Sequence, residues 1–178
     1  MDLLLKGKKV FISGSTKGIG FETARLFLEE GATVIINGRT KKSVESALTS
    51  LNNDNVSGLV GDFIDDFQVK NLIDQIPHDI DILVNNVGIF RGKEFKDETV
   101  EDWSDHFKVN LMSGVQLSKH FLPEMIKRDW GRIIFISSEC ATLVPSDLLS
   151  YSVSKASINV FSSGLAKLTK GTNVTVNT

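Results

Sequence analysis

Lys9–Ala32 reads KVFISGSTKGIGFETARLFLEEGA. An apolar, β-branched run, Lys9–Ser13, stops at a glycine, and an amphipathic pattern starts at Phe21 and ends at Gly31 as a C-cap would. Strand, glycine turn and helix follow one another without a linker. Glycine lets backbone come close to a pyrophosphate, and a helix N-terminus supplies unpaired N–H groups and partial positive charge. Gly14, Ser15, Thr16, Lys17, Gly18, Ile19 and Gly20 are therefore candidate cofactor-binding residues. The spacing differs from the Gly-x-Gly-x-x-Gly of many dinucleotide sites, and a plain glycine-rich turn is the competing reading.

Outward from this stretch the same alternation continues. Thr33–Asn37, Val56–Val60, Ile80–Val84, Arg132–Ile136 and Asn173–Asn177 read as strands. Helical periodicity covers Lys41–Leu51, Asp65–Ile76 (stopped by Pro77), Val100–Lys127 as one short and one long helix, and Leu148–Thr169. Ile89–Thr99 is polar, glycine-bearing and loop-like. The expected fold is α/β: a doubly wound parallel sheet of about six strands with helices on both faces, in one domain spanning residues 1–178. In such sheets ligands bind beyond the carboxyl ends of the strands. Polar or glycine signals stand at five strand ends: Gly14–Gly20, Gly38-Arg39, Asp62, Asn85–Gly88 and Ser137-Ser138.

After the second strand, where an acid would bind the adenine ribose of NAD, the chain has Asn37-Gly38-Arg39. The Arg39 guanidinium suits a 2′-phosphate, with Lys17 as a second cation. NADP(H) is thus favoured over NAD(H), against a reading of two solvated cations. Asp62 is a candidate for the adenine amino group or a turn-forming Asx. Asn86 and Gly88 are candidates for lining the cofactor cleft, or Asn85-Asn86 for capping the strand. Asn110 interrupts the apolar run Phe107, Val109, Leu111. It reads as the holder of a water or a bend, or as a surface asparagine.

Tyr151, the single tyrosine, lies four residues before Lys155 and thirteen after Ser138. On a helix Tyr151 and Lys155 share a face, where the ammonium favours phenolate and suits the phenol to proton exchange. By itself the pair would read as surface decoration. His78, His106 and His120 show no ligand spacing and read as structural or surface residues, with no metal expected. Trp103 and Trp130 read as packing residues.

Composition sets bounds. With 178 residues, 41% hydrophobic, 24% charged and a net charge of −2, the chain matches a soluble domain and gives no electrostatic case for nucleic acid or anionic membrane. No apolar run approaches a membrane span, and the start MDLLLKGKK lacks a signal-peptide core. The single cysteine, Cys140, fits a reducing compartment, so a cytoplasmic location is expected. There is no Gly-x-Ser-x-Gly elbow to support a hydrolase.

Taken together, the motifs resemble the short-chain dehydrogenase/reductase family, a Rossmann-fold group, colinearly over the chain. Ser13-Gly14-x-x-x-Gly18-Ile19-Gly20 resembles its cofactor turn, and Asp62 its adenine-contacting aspartate. Asn85-Asn86-Val87-Gly88 resembles its Asn-Asn-Ala-Gly, with Val87 for alanine. Val109-Asn110-Leu111 resembles the segment of the catalytic asparagine, and Ser138, Tyr151 and Lys155 match the catalytic serine and Tyr-x-x-x-Lys. The resemblance implies hydride transfer between NAD(P)(H) and a ketone or secondary alcohol. Tyr151 would be the acid/base and Ser138 would polarise the carbonyl. Lys155 would bond the nicotinamide ribose, and Asn110 would hold a relay water. It also implies a homodimer or homotetramer. Ala141 stands where a glycine is common, and the family's C-terminal substrate-covering segment is not in this sequence. A dinucleotide-binding module with little turnover is therefore the alternative expectation.

Overall fold

A computed structural model of the chain describes residues 3–178, so Met1 and Asp2 of the N-terminal stretch read for a leader lie outside it. Six parallel strands form one sheet: β1 (Lys9–Ile12), β2 (Thr33–Gly38), β3 (Val56–Val60), β4 (Ile82–Asn85), β5 (Gly131–Phe135) and β6 (Val174–Asn177), in the order β3-β2-β1-β4-β5-β6. The helices are α1 (Gly18–Glu29), α2 (Lys41–Leu51), α3 (Asp66–Gln75), α4 (Val100–His106), α5 (Ser113–Lys127) and α6 (Leu149–Leu168). Short 3₁₀ turns cover Phe95–Asp97 and Glu139–Ala141.

The strands alternate faces because successive Cβ atoms point to opposite sides of a pleated sheet. Phe11 on β1 joins a core layer with Leu83, Leu117, Phe121, Ile133 and Ile158. Its neighbours Val10 and Ile12 join the opposite layer with Ala24, Leu28, Val34 and Val84. α1 meets that layer through Gly20, Ala24 and Leu28, spaced by one helical turn. Both faces of the sheet are thus covered. The strand order reverses between β1 and β4, paired as Val10↔Ile82 and Ile12↔Val84, and a crevice beyond their carboxyl ends is the expected ligand position.

Two element expectations change in detail. α1 starts at Gly18 rather than Phe21, so Ile19 and Gly20 belong to its first turn. Val100–Lys127 forms the expected short and long helix, but with no break between them. α4 runs into α5 through a π-helical segment, Phe107–Met112, with Asn110 inside it and buried at 4% exposure. The surface-asparagine alternative is excluded, and the local distortion fits π-bulges, which recur at functional positions. β6 is an edge strand, burying Val174 and Val176 and exposing Thr175 and Asn177.

Candidate active site

The glycine turn is built by its neighbours. Buried Asn37, at the end of β2, accepts from the Gly14 amide at 3.0 Å and donates to the Gly61 carbonyl at 3.2 Å. Its own amide donates to the Ser15 hydroxyl at 2.9 Å. From just past β4, the Asn86 side-chain amide donates to the carbonyls of Ser13 (3.0 Å) and Gly14 (2.8 Å). A Cβ at Gly20 would lie 2.4 Å from Asn86 Nδ2 and 2.8 Å from the Gly14 carbonyl oxygen, so the turn closes only on glycine. Gly18 differs: its φ is +60° and nothing lies within 4 Å of where a Cβ would be. α1 begins there with no side-chain cap on Lys17 and no acid in its first turn. Unpaired helix N–H groups therefore face open space, which fits the phosphates of a dinucleotide.

Around this turn, Ser15 is buried, Thr16 lies against Gly38, and Lys17 and Ile19 are exposed. Arg39 is exposed just past β2 and makes no ion pair among the described residues. Asp62 Oδ1 accepts from the Ile64 amide at 3.1 Å, so the Asx-turn reading holds; this contact leaves its second oxygen for a ligand.

Tyr151 and Lys155 point the same way from α6, with the ammonium 5.9 Å from the phenol ring centroid. Lys155 is buried, and its Nζ donates to the Ile136 carbonyl at 2.8 Å, at the end of β5. Burial pushes its pKa down to about 8. Exposed Gly88 sits over this group: a Cβ there would be 3.3 Å from Asn110 Oδ1 and 3.5 Å from Lys155 Nζ. Asn110 itself joins three pieces of chain. It accepts from the Ile89 amide at 2.7 Å and donates to the Ile89 carbonyl (3.1 Å) and the Ser154 hydroxyl (2.9 Å). Half-buried Ser138 heads the 3₁₀ turn that packs on α6, and its Oγ accepts from the Cys140 amide at 3.2 Å. Asn110, Gly88, Tyr151 and Lys155 are thus gathered at one place, with Ser138 on the adjoining turn.

Sequence reasoning missed three participants. Asn37 was read only as the absence of an acid, yet it anchors the glycine turn. Phe90 was read as loop, yet its ring meets Tyr151 edge-on at 4.9 Å. His106, read as structural or surface, is buried and meets the same ring at 6.1 Å. Its position four residues before an asparagine that interrupts an apolar helical run was the available signal for His106. His78 and His120 stack on each other at 4.9 Å. Trp130 packs beneath Lys8 and Arg132. No group of three metal-ligating side chains occurs among the described residues.

The family model for short chain dehydrogenases matches residues 8–178. The uncharacterized oxidoreductase YvrD of Bacillus subtilis is 44% identical over 99% of this chain and 68% of its own length. A 3-oxoacyl-acyl-carrier-protein reductase of Haemophilus influenzae is 36% identical over 97% of this chain and 72% of its own. Among solved structures, a putative NAD(P)-dependent gluconate 5-dehydrogenase from Beutenbergia cavernae, with bound NADP at low occupancy, superposes with a TM-score of 0.87. It is 26% identical, over 97% of this chain and 71% of that one. No helix among the described residues is long and apolar enough to cross a membrane.

Proposed function

The chain belongs to the short-chain dehydrogenase/reductase family, and on that premise we propose that it transfers hydride between NADP(H) and a ketone or secondary alcohol, with Tyr151 as general acid/base. The observation that carries this is the buried Lys155 ammonium beside the Tyr151 ring, in no ion pair among the described residues. Such a charge favours the phenolate left when the phenol gives up its proton. The residues fit a dinucleotide: open Gly18 and the uncapped start of α1 face phosphates, and Asp62 retains an acceptor for the adenine amino group. When bound, the nicotinamide supplies the hydride.

The remaining work falls to this chain. Tyr151 passes its phenolic proton to the carbonyl oxygen as negative charge develops there. The Ser138 hydroxyl donates a hydrogen bond to that oxygen and holds it. Lys155 binds the nicotinamide ribose and steadies the phenolate. Asn110 Oδ1 and Lys155 Nζ both lie close to Gly88. A water bridging the two would return the proton from solvent. Arg39 and Lys17 give the preference for NADPH, by charge-assisted bonds to a 2′-phosphate. Residues 1–178 act as one cofactor-binding catalytic domain in this reading, in the cytoplasm, where a free Cys140 is at home.

Following NADPH absorbance over a panel of ketones, a 3-oxoacyl thioester included, tests the proposal. Tyr151→Phe should lower kcat by about 10²–10⁴-fold, the usual worth of general acid catalysis. Turnover that survives this substitution intact would refute the mechanism. A second reading, a dinucleotide-binding module with little turnover, is favoured by the exposure of Phe90 (65%) and Leu143 (70%), apolar surface that a substrate wall would cover. NADPH binding without turnover on any ketone would support that reading instead.

A further inference from the structure

The loop between β4 and α4 is fastened to the start of α6 at two points. The Lys93 amide donates to the Asp147 carbonyl at 2.9 Å. Five residues on, Glu98 Oε1 accepts from the Ser150 amide at 3.2 Å and from the Ser150 hydroxyl. The N-cap residue of α6 is Leu148, whose side chain offers no acceptor. The first N–H groups of a helix lack intrahelical partners, and a Ser, Thr, Asp or Asn at the cap normally accepts from them. Glu98 fills that role from a distant part of the chain, with its charge at the positive end of the helix.

The contact continues inward. Ser150 Oγ, on a fully buried residue, is 3.0 Å from His106 Nδ1, which is also 2.9 Å from the Asp102 carbonyl. One proton arrangement satisfies all of these contacts. Ser150 O–H donates to Glu98, and His106 Nδ1–H is shared between Asp102 O and Ser150 Oγ, as three-centre bonds at helix ends often are. His106 Nε2 is buried without a partner, and desolvation lowers the imidazole pKa, which keeps the ring neutral in this tautomer. The same ring meets Tyr151 edge-on, and Phe90 meets Tyr151 from the clamped loop.

We propose that Glu98, Ser150 and His106 form a positioning chain that locks the β4–α4 loop to the first turn of α6 and so holds the Tyr151 ring in place. The role rests on Tyr151 as the proton-transfer group. These are positioning residues: none is required to touch substrate or cofactor. The loop that brings Phe90 to the site and the helix that brings Tyr151 then move as one body.

Tyr151 is the single tyrosine in the chain, so labelling with 3-fluorotyrosine gives one ¹⁹F resonance from the ring in question, with or without a known substrate. Wild-type protein and Glu98→Gln, whose amide oxygen still accepts from Ser150, should show the same sharp line. Glu98→Leu and Ser150→Ala should shift or broaden it. In turnover, both should lower kcat about 10–100-fold, the scale of a small misplacement of a reacting group. KM for NADPH should stay unchanged, and Glu98→Gln should restore kcat. An unaltered line and kcat in Glu98→Leu, or equal losses in Glu98→Gln and Glu98→Leu, would overturn the proposal. If circular dichroism shows Glu98→Leu unfolded, Ser150→Ala decides by the same readings. If wild-type protein turns over no ketone, the proposed reaction fails, while the fluorine line still decides the positioning role.

Discussion

Lys155 is the residue at which burial and function meet most directly. Its pKa of about 8, against 10.5 for an ordinary lysine, arises from desolvation. Between those two pH values the unfolded chain holds a proton that the folded chain has released, so stability rises as pH rises through that window. Below it both states are protonated and the destabilisation is constant. Denaturant melts of wild type and Lys155→Met across that window should show the rise in the first and its loss in the second. Arg39 makes a different kind of prediction. With no ion pair among the described residues to break, Arg39→Ala should leave stability alone and weaken NADPH by about 10–100-fold, the worth of a charged hydrogen bond. NADH should weaken far less in the same titration, and equal effects on both cofactors would refute the phosphate role.

At the scale of elements, the glycine turn and the π segment carry the site. A methyl at Gly20 would press on Asn86 Nδ2 and on the Gly14 carbonyl, parts of the turn's own scaffold. Gly20→Ala should therefore cost about 1–3 kcal/mol, as overpacking does, and a thermal melt would show it alongside weakened cofactor binding. Asn110 joins the π segment to Ile89 and to Ser154 of α6. Asn110→Ala would orphan both Ile89 backbone groups, with an expected loss of about 2–3 kcal/mol, read as a lower Tm. The strand–turn–helix pattern of Lys9–Ala32 was legible because period 2 changes to period 3.6 across a glycine cluster. The π segment was not, because the bonds its Asn110 makes reach across 21 and 44 residues and leave no local periodicity.

For the molecule as a whole, α6 shows a surface the parallel sheet does not use. Its serines Ser150, Ser152, Ser154 and Ser162 are buried, while Val160 is 75% and Val153 40% exposed. With Leu111, Val115, Ala156 and Phe161 these two valines line an open apolar groove between the π segment, α5 and α6. Exposed apolar groups in one patch mark an interaction surface, and self-association through this face is the proposed route to a dimer or tetramer. Val160→Asp should then yield monomers in sedimentation velocity. A wild-type monomer at micromolar concentration would count against assembly by this chain.

The sequence by itself determined the α/β alternation and the strand ends that carry polar groups, which follow from local periodicity. It offered Tyr151 and Lys155 as candidates by their spacing on one helix, and Ser138 by its match to the family motif. It also named Asn110 as a candidate, but not its burial. Tertiary structure decided what no single element contains. It showed that Asn37 on β2 and Asn86 just past β4 hold the glycine turn shut, and that Asp62 closes an Asx turn. It also put Glu98 and His106 in contact with Ser150, directly before Tyr151. Apart from the local Asp62 turn, these contacts join residues 22 to 73 positions apart, the longest between Asn86 and Ser13. Their energy depends on distances set only when the sheet and its helices pack.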